Sequence, residues 1–249
     1  MHYYSSVGRL RLLLWLVAIF VTACTVSEPT PPDILLFNGR GTSANDVAAL
    51  ESILRERRWN YSTASSARLD AMSEAELKAH RLLIVPGGNF EEIGNALRAD
   101  TTARLRSAVG SGLNYLGICA GAFFAGASPY NGLNLASGAR FPFYALEDQG
   151  IRKAPVAITT ADGPTIEVYW EDGPQLTGWG ETVARYPDNT PAVVQGTFGQ
   201  GWVVLTGVHA EAPESWRRDL AFATPAAASH AFAARLIDAA LHRTPLPRH

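Results

Sequence analysis

The chain has 249 residues, of which 47% are hydrophobic and 18% are charged, and its formal net charge is −2. This composition is typical of one ordinary globular domain, and the sequence contains no internal repeat. No basic patch is present, which excludes nucleic acid as an expected partner.

The N-terminal residues are typical of an export signal. Arg9 and Arg11 form a basic region, residues 12–20 are apolar but too few to span a bilayer, and the tetrapeptide Val-Thr-Ala-Cys ends the stretch at Cys24. That tetrapeptide resembles the lipobox of bacterial lipoproteins. Cys24 would then carry a lipid.

From this resemblance we expect residues 1–23 to be a signal peptide and residues 24–32 a flexible tether. Because no Asp follows Cys24, the resemblance to Gram-negative lipoproteins implies a bacterial cell-envelope location, at the outer membrane facing the periplasm. The lipid would make the membrane a partner. In the alternative, the signal is an ordinary cleaved one and Cys24 is incidental.

Strands and helices alternate in the first half of the remaining chain. The predicted elements are, in order, a strand at 33–37, a helix at 44–57 capped by Ser43, a short helix opened by a capping box at Ser73, a strand at 82–85, a helix at 102–109 and a strand ending at residue 118. This alternation predicts a parallel sheet covered by helices on both faces.

The strand at 82–85 runs into Pro86-Gly87-Gly88. Two consecutive glycines let backbone N–H groups approach a ligand without hindrance from a Cβ. Gly87 or Gly88 is therefore a candidate oxyanion donor. The alternative is a common Pro-Gly-Gly turn.

The third strand ends at a cysteine with glycine two residues away on either side, Gly117 and Gly121. This pattern predicts a nucleophile elbow that projects Cys119 between a strand and a helix. The helix N-terminus favours the thiolate, and the Ala120 amide is free to stabilise an oxyanion. A buried structural cysteine is the alternative.

The second half of the chain has β-type patterning. Short runs at 155–160, 165–170, 182–186 and 192–198 predict a meander with hairpins, and they are followed by a strand at 202–208 and a helix at 226–241. Residues 243–249 form a Pro-rich tail.

A histidine follows the strand at 202–208. The carboxyl ends of parallel strands share one edge of a sheet, so His209 is expected to meet Cys119 there. Glu211 could accept the other ring N–H and fix the tautomer. Cys119, His209 and Glu211 thus form a candidate catalytic triad. The alternative is a strand-end histidine followed by a solvated glutamate.

Five segments together carry a family resemblance: Asn-Gly-Arg-Gly-Thr-Ser, Val-Pro-Gly-Gly, Tyr-Leu-Gly-Ile-Cys-Ala-Gly-Ala, Val-Tyr-Trp-Glu-Asp-Gly-Pro and Thr-Gly-Val-His-Ala-Glu. Over residues 33–242 the chain resembles the biotin-protein ligase N-terminal domain family of the class I glutamine amidotransferase-like superfamily. The resemblance implies one α/β domain over that range, a flavodoxin-like three-layer sandwich with a mainly parallel central sheet and an added β-meander. It also implies the triad named above, and it places Trp170 and Asp172 at the mouth of the pocket. An ordinary Asp-Gly turn is the alternative for those two residues.

Two departures from the superfamily limit the expected function. Phe123 occupies the position where related amidotransferases carry the Gln that holds substrate glutamine, which argues against glutamine as the substrate. A chain of this length has no biotin-ligase catalytic domain, so ligase activity is not expected.

The sequence therefore predicts a cysteine-dependent hydrolase of a small-molecule or peptide amide, with no cofactor or metal. The rival interpretation is a binding module that keeps the fold without the chemistry. A peptidase- or deglycase-like relative is a third reading.

Overall fold

The computed structural model describes residues 1–3 and 31–249. Residues 4–23 of the predicted signal peptide, Cys24 and most of the predicted tether lie outside the described residues. Residues 31–249 form one compact unit. Among the described residues, no helix combines the length and apolar character needed to cross a membrane.

The unit contains nine strands in a single mixed sheet. They are β1 (Ile34–Phe37), β2 (Tyr61–Ala64), β3 (Leu82–Val85), β4 (Asn114–Ile118), β5 (Lys153–Thr160), β6 (Ile166–Glu171), β7 (Glu181–Arg185), β8 (Pro191–Phe198) and β9 (Gly201–Thr206). The helices are α1 (Ala44–Glu56), α2 (Ser66–Ala71), α3 (Glu74–Lys78), α4 (Phe90–Asn95), α5 (Ala99–Gly110), α6 (Ala120–Ala125), α7 (Glu214–Arg217) and α8 (Ala226–His242), and a 3-10 turn covers Glu147–Gln149.

The strand order is β2-β1-β3-β4-β9-β8-β7-β5-β6. All pairings from β2 to β9 are parallel, and all pairings from β9 to β6 are antiparallel. The antiparallel part does not follow chain order, because β7 pairs with β5 rather than with its chain neighbour β6.

Helices cover both faces of the sheet, which gives two separate hydrophobic cores. One core includes Leu50 and Ile53 of α1 together with Ile237 of α8. The other includes Leu105 of α5 and Phe124 of α6. The three-layer α/β sandwich expected from the sequence is confirmed.

Local sequence signals explain where the short helices begin. The Ser43 side chain accepts a hydrogen bond from the Asp46 amide at 3.3 Å and caps α1. Ser73 and Glu76 form the predicted capping box at α3, with the Ser73 amide donating to the Glu76 carboxylate at 2.8 Å. Each cap satisfies amides that the first helical turn leaves unpaired.

The last residues pack against the sheet, although the sequence placed 243–249 outside the domain. Leu246 is buried, its amide donates to Gln195 Oε1 at 2.8 Å, and its carbonyl accepts from Gln195 Nε2 at 2.7 Å. Gln195 itself lies buried on β8. The paired amide therefore ties the C-terminal segment to a central strand.

Candidate active site

The sheet brings the two predicted reactive residues to one edge. β4 and β9 are parallel neighbours with Ile118 opposite Thr206, so Cys119 and the loop after β9 leave the sheet side by side. The Cys119 amide donates to the Thr206 carbonyl at 2.8 Å and continues the ladder to its end. Cys119 and His209 both line one cavity of about 390 Å³.

Cys119 has the backbone of a nucleophile elbow. Its φ is 49° and its ψ is −104°, and it is the N-cap of α6. A side chain at Gly117 would come within 2.5 Å of the Gly121 carbonyl, and one at Gly121 would overlap the Val85 carbonyl. The two glycines therefore let strand and helix pack closely enough to hold the strained residue.

The Cys119 side chain is 5% exposed, and its thiol donates to the Glu171 carbonyl at 3.5 Å. Residues of the second half of the sheet thus contact the proposed nucleophile, which is held at the bottom of the cavity.

His209 is held by its backbone and by its ring. Its amide donates to the Tyr169 carbonyl at 2.8 Å, and the ring packs edge-on against the rings of Tyr169 and Trp216, at centroid distances of 6.0 and 5.9 Å. Nδ1 lies 2.8 Å from Glu211 Oε1, and the Glu211 side chain is 1% exposed. This contact leaves Nε2 as the ring nitrogen for exchange of a proton with Cys119.

A second carboxylate, Asp46, lies at the same ring nitrogen, and sequence reasoning missed it. Asp46 Oδ1 is 3.0 Å from His209 Nδ1, and its side chain is 7% exposed. One N–H cannot serve both acids. Glu211 receives the hydrogen bond, and Asp46 Oδ1 has no hydrogen-bond partner among the described residues.

A sequence signal for Asp46 existed. This residue lies in the first turn of the helix that follows β1, and β1 ends at the same sheet edge as β3 and β4. An acidic residue in the first turn of a helix is normally interpreted as a partner of the helix dipole. Only the fold reveals that Asp46 reaches His209.

The charges of the cluster shift two pKa values. Burial alone would lower the pKa of His209, but the negative charges of Cys119, Glu211 and Asp46 raise it well above its ordinary value. Burial would raise the pKa of Asp46, but the positive charge of His209 beside it outweighs burial and lowers the pKa. The arrangement therefore favours an imidazolium flanked by anions.

Asp46, His209 and Glu211 are also the residues that could hold a metal ion, because their ligand atoms lie within 4.8 Å of one another. Donors bound to one tetrahedral zinc at ~2.0–2.1 Å lie roughly 3.3 Å apart. The separations of 2.8 and 3.0 Å between Nδ1 and the two carboxylates fit a hydrogen bond and an ion contact instead.

The candidate oxyanion donors divide into two groups. Ala120 and Gly88 line the cavity. Gly87 is not part of its wall, and its carbonyl accepts from the Ser43 amide at 3.0 Å. A side chain at Gly87 would overlap Asp46 Oδ1 and come within 2.6 Å of His209 Cε1, so Gly87 makes room for the charged cluster.

The two predicted pocket residues lie in different parts of the structure. Asp172 lines the cavity, and its Oδ2 accepts from Arg152 at 2.6 Å. The expectation for Trp170 is wrong. Trp170 is fully buried, its indole donates to the Gly173 carbonyl at 3.2 Å, and it packs on Tyr144 in the core. Trp170 lies within β6 and packs with Val168 in the core, whereas Asp172 follows the end of β6 and has a φ of 46°. The alternation that would place residues i and i+2 on one face therefore ends before Asp172.

Phe123 belongs to an apolar wall of the cavity. Its ring stacks on Phe90 at a centroid distance of 4.6 Å and lies 4.9 Å from the ring of Phe143. All three rings line the cavity. The place of the expected glutamine-holding side chain is thus filled by a hydrocarbon surface.

A larger groove, of about 770 Å³, opens elsewhere on the molecule. Trp179, Trp202 and the segment from Pro245 to Arg248 line it. It contains none of the candidate catalytic residues, so the smaller cavity is the candidate active site.

Residues 32–130 match the family described as "Biotin-protein ligase, N terminal". This part of the chain is similar to that family. The matched segment contains β1, α1, the Pro-Gly-Gly turn and the Cys119 elbow, and the resemblance predicted from the sequence is confirmed. No curated protein is significantly similar to the chain in sequence.

Solved structures share the glutamine amidotransferase-like fold. A crystal structure of a glutamine amidotransferase has a TM-score of 0.56 at 20% identity, covering 75% of this chain and 96% of the other. An exo-β-1,4-mannosidase from Opitutaceae bacterium strain TAV5 has a TM-score of 0.55 at 16% identity, covering 82% and 36%. A β-galactosidase from the psychrophilic Marinomonas ef1 has a TM-score of 0.51 at 12% identity, covering 89% and 30%. At these identities the likeness concerns the fold alone.

Proposed function

We propose that this domain, whose residues 32–130 are similar to the biotin-protein ligase N-terminal family, is a cysteine-dependent amide hydrolase. The observation that carries the proposal is the shared cavity at the end of β4 and β9, where an elbow cysteine meets a histidine held by buried carboxylates. A strained nucleophile, an adjacent base and an orienting acid are the parts that acyl transfer requires.

The proposed reaction has two halves. Cys119 Sγ loses its proton to His209 and attacks the amide carbonyl carbon, and the C–N bond breaks as His209 returns the proton to the leaving amine. Water then attacks the thioester, gives its proton to His209, and releases the carboxylic acid and Cys119. Glu211 and Asp46 stabilise the imidazolium, and the amides of Ala120 and Gly88 face the developing oxyanion.

Intact-mass detection of a thioester, during a screen of amides and small peptides, tests the proposal. The wild-type chain is expected to gain the mass of an acyl group on Cys119, and Cys119→Ala is expected to lose both adduct and turnover. Turnover that survives Cys119→Ala would contradict the proposal. Binding of a ligand without turnover by either protein would favour the non-catalytic binding module.

We further propose that the domain is tethered to a bacterial envelope membrane through a lipid on Cys24. The support is the Val-Thr-Ala-Cys tetrapeptide after a basic and apolar stretch. Detergent phase partitioning of the protein expressed in a Gram-negative host tests this. Wild type is expected in the detergent phase and Cys24→Ala in the aqueous phase, whereas identical partitioning of the two would refute lipidation.

A further inference from the structure

The cavity around Cys119 is rich in carboxylates. Asp46, Glu91, Glu171 and Asp172 line it, and the cationic groups on its wall are Arg152 and His209. His209 faces the negative charges of Asp46 and Glu211. A concave wall with this excess of one sign concentrates ions of the other sign.

Arg152 is already neutralised within the protein. Its guanidinium donates to Asp172 Oδ2 from Nε at 2.9 Å and from a terminal nitrogen at 2.6 Å, and its other terminal nitrogen lies 3.6 Å from Glu147. Asp172 Oδ1 is buried and has no hydrogen-bond partner in residues 31–249. Arg152 thus leaves one carboxylate oxygen of Asp172, on the cavity wall, without a hydrogen-bond donor among the described residues.

Glu171 is a wall carboxylate whose backbone contacts the proposed nucleophile. Its backbone carbonyl accepts from the Cys119 thiol at 3.5 Å, and its carboxylate accepts from the neutral Tyr169 hydroxyl at 2.7 Å. Lys153 lies opposite Glu171 in the register of β5 and β6, but no ion pair joins them in the described part of the chain. The exposed Glu171 side chain is held by one hydrogen bond, and its charge has no ion-pair partner among the described residues.

An independent feature points to the same ligand chemistry. The rings of Phe90, Phe123 and Phe143 form the apolar wall of the cavity, and aromatic rings can attract ammonium and guanidinium groups to their faces. Asp46 Oδ1, 3.0 Å from His209 Nδ1, adds a buried negative charge to the cavity wall.

We propose that this cavity selects amides that carry an ammonium or guanidinium group close to the scissile carbonyl, held by Glu171 and the phenylalanine wall. The inference rests on the proposed function, because it names the substrate class of the same site. An anionic amide would meet unpaired carboxylates beside the nucleophile and be rejected.

Charge-matched thiol reagents test the inference without a known substrate. The full chain is treated with cationic, neutral and anionic alkyl methanethiosulfonates, and the rate at Cys119 is read from its peptide mass. Relative to the urea-unfolded chain, we expect the cation-to-anion rate ratio to be about tenfold higher. Glu171→Gln should lower this ratio several-fold, and Glu56→Gln, at an exposed carboxylate on α1, should not change it.

A second measurement covers the case in which Cys119 is unreactive. Nα-acetyl-lysinamide and its neutral analogue Nα-acetyl-norleucinamide are titrated into Cys119→Ala. We expect the cationic compound to bind about tenfold more tightly, and Glu171→Gln to remove the difference. Equal binding of the two amides, or a preference that survives Glu171→Gln, would overturn the inference. Thioester formation without a charge preference would overturn the inferred substrate class and leave the proposed hydrolase function standing. A charge preference without any thioester would support the inferred ligand charge and contradict the proposed hydrolase function.

Discussion

Cys119 has a backbone conformation that few residues other than glycine adopt, with φ at 49°. The fold sustains this strain because Gly117 and Gly121 allow the strand and the helix to touch. Sequence reasoning located this feature from the glycine spacing alone, because the steric requirement is local. It could not locate Asp46, whose importance arises only when α1 lies beside the loop after β9.

Gly87→Ala tests whether the charged cluster needs the space that this glycine leaves. The new methyl would overlap Asp46 Oδ1 and press on His209 Cε1, so we expect a loss of about 1–3 kcal/mol in the free energy of unfolding and slower alkylation of Cys119. Urea denaturation and alkylation kinetics measure the two effects. Gly110→Ala is the matched control, because its methyl would make only an ordinary contact with Phe198. Equal effects of the two substitutions would show that Gly87 has no special role.

Asp46→Asn tests the charge coupling at His209. Since the fold raises the pKa of His209 above the unfolded value of about 6.5, its contribution to stability is complete below that pH and is lost as pH rises through the folded pKa. Removing the Asp46 charge should lower the pKa of His209 in the folded protein, so the stability contributed by His209 is lost at a lower pH. NMR titration of the His209 ring and urea denaturation across neutral and alkaline pH measure this.

At acidic pH, the free energy of unfolding depends on Asp46 and changes with pH in the opposite direction. Because the fold lowers the pKa of Asp46, this residue stabilises the protein above the unfolded value of about 3.9 and stops doing so as pH falls through its folded pKa. Asp46→Asn should abolish this loss of stability at acidic pH. Asp219→Asn, at an exposed aspartate, should leave the pH dependence of stability, at acidic and at alkaline pH, and the His209 titration as they are in the wild type. A His209 pKa that Asp46→Asn does not move would refute the coupling.

At the scale of elements, side-chain caps mark the starts of four of the eight α-helices in the described residues. Ser43 and Ser73 cap α1 and α3 as their side chains predict, because a cap needs only neighbouring residues. The start of α5 was placed too late. It begins at Ala99 after Arg98, which has no side-chain cap bond, so no local signal marks it.

Ser73→Ala tests the capping box. It removes the side-chain acceptor for the Glu76 amide, and we expect the free energy of unfolding to fall by about 1 kcal/mol. Chemical denaturation of the full chain measures the change. Ser107→Ala, at an exposed site within α5, should be neutral or slightly stabilising. A cost for Ser73→Ala no larger than that for Ser107→Ala would mean that the box contributes nothing.

At the scale of the whole molecule, one sheet joins a parallel half and an antiparallel half between two cores. The candidate site lies where the halves meet. The parallel half supplies Cys119, and the antiparallel half supplies the Glu171 carbonyl on its thiol and the Tyr169 carbonyl on the His209 amide. The C-terminal segment completes the outer side of the sheet through Gln195 and Leu246.

Gln195→Ala tests that C-terminal connection. It removes both hydrogen bonds to the buried Leu246 backbone, and we expect a loss of roughly 1–3 kcal/mol in the free energy of unfolding. Gln200→Ala, in the exposed turn before β9, is the control. Proteolysis near residue 243 should become faster in the first variant only, and identical stability of the two variants would contradict the assignment.

The sequence by itself determined the alternation of strands and helices, the elbow at Cys119, the family resemblance of residues 32–130 and the Cys119, His209 and Glu211 candidates. These depend on hydrophobic periodicity, glycine spacing and motif order, which are local properties of the chain. Only the tertiary structure decided that Asp46 joins His209, that Trp170 belongs to the core, that β7 pairs with β5 and that the last residues pack on β8. Each of these depends on which distant segments the folded sheet brings into contact, and no local pattern encodes that proximity.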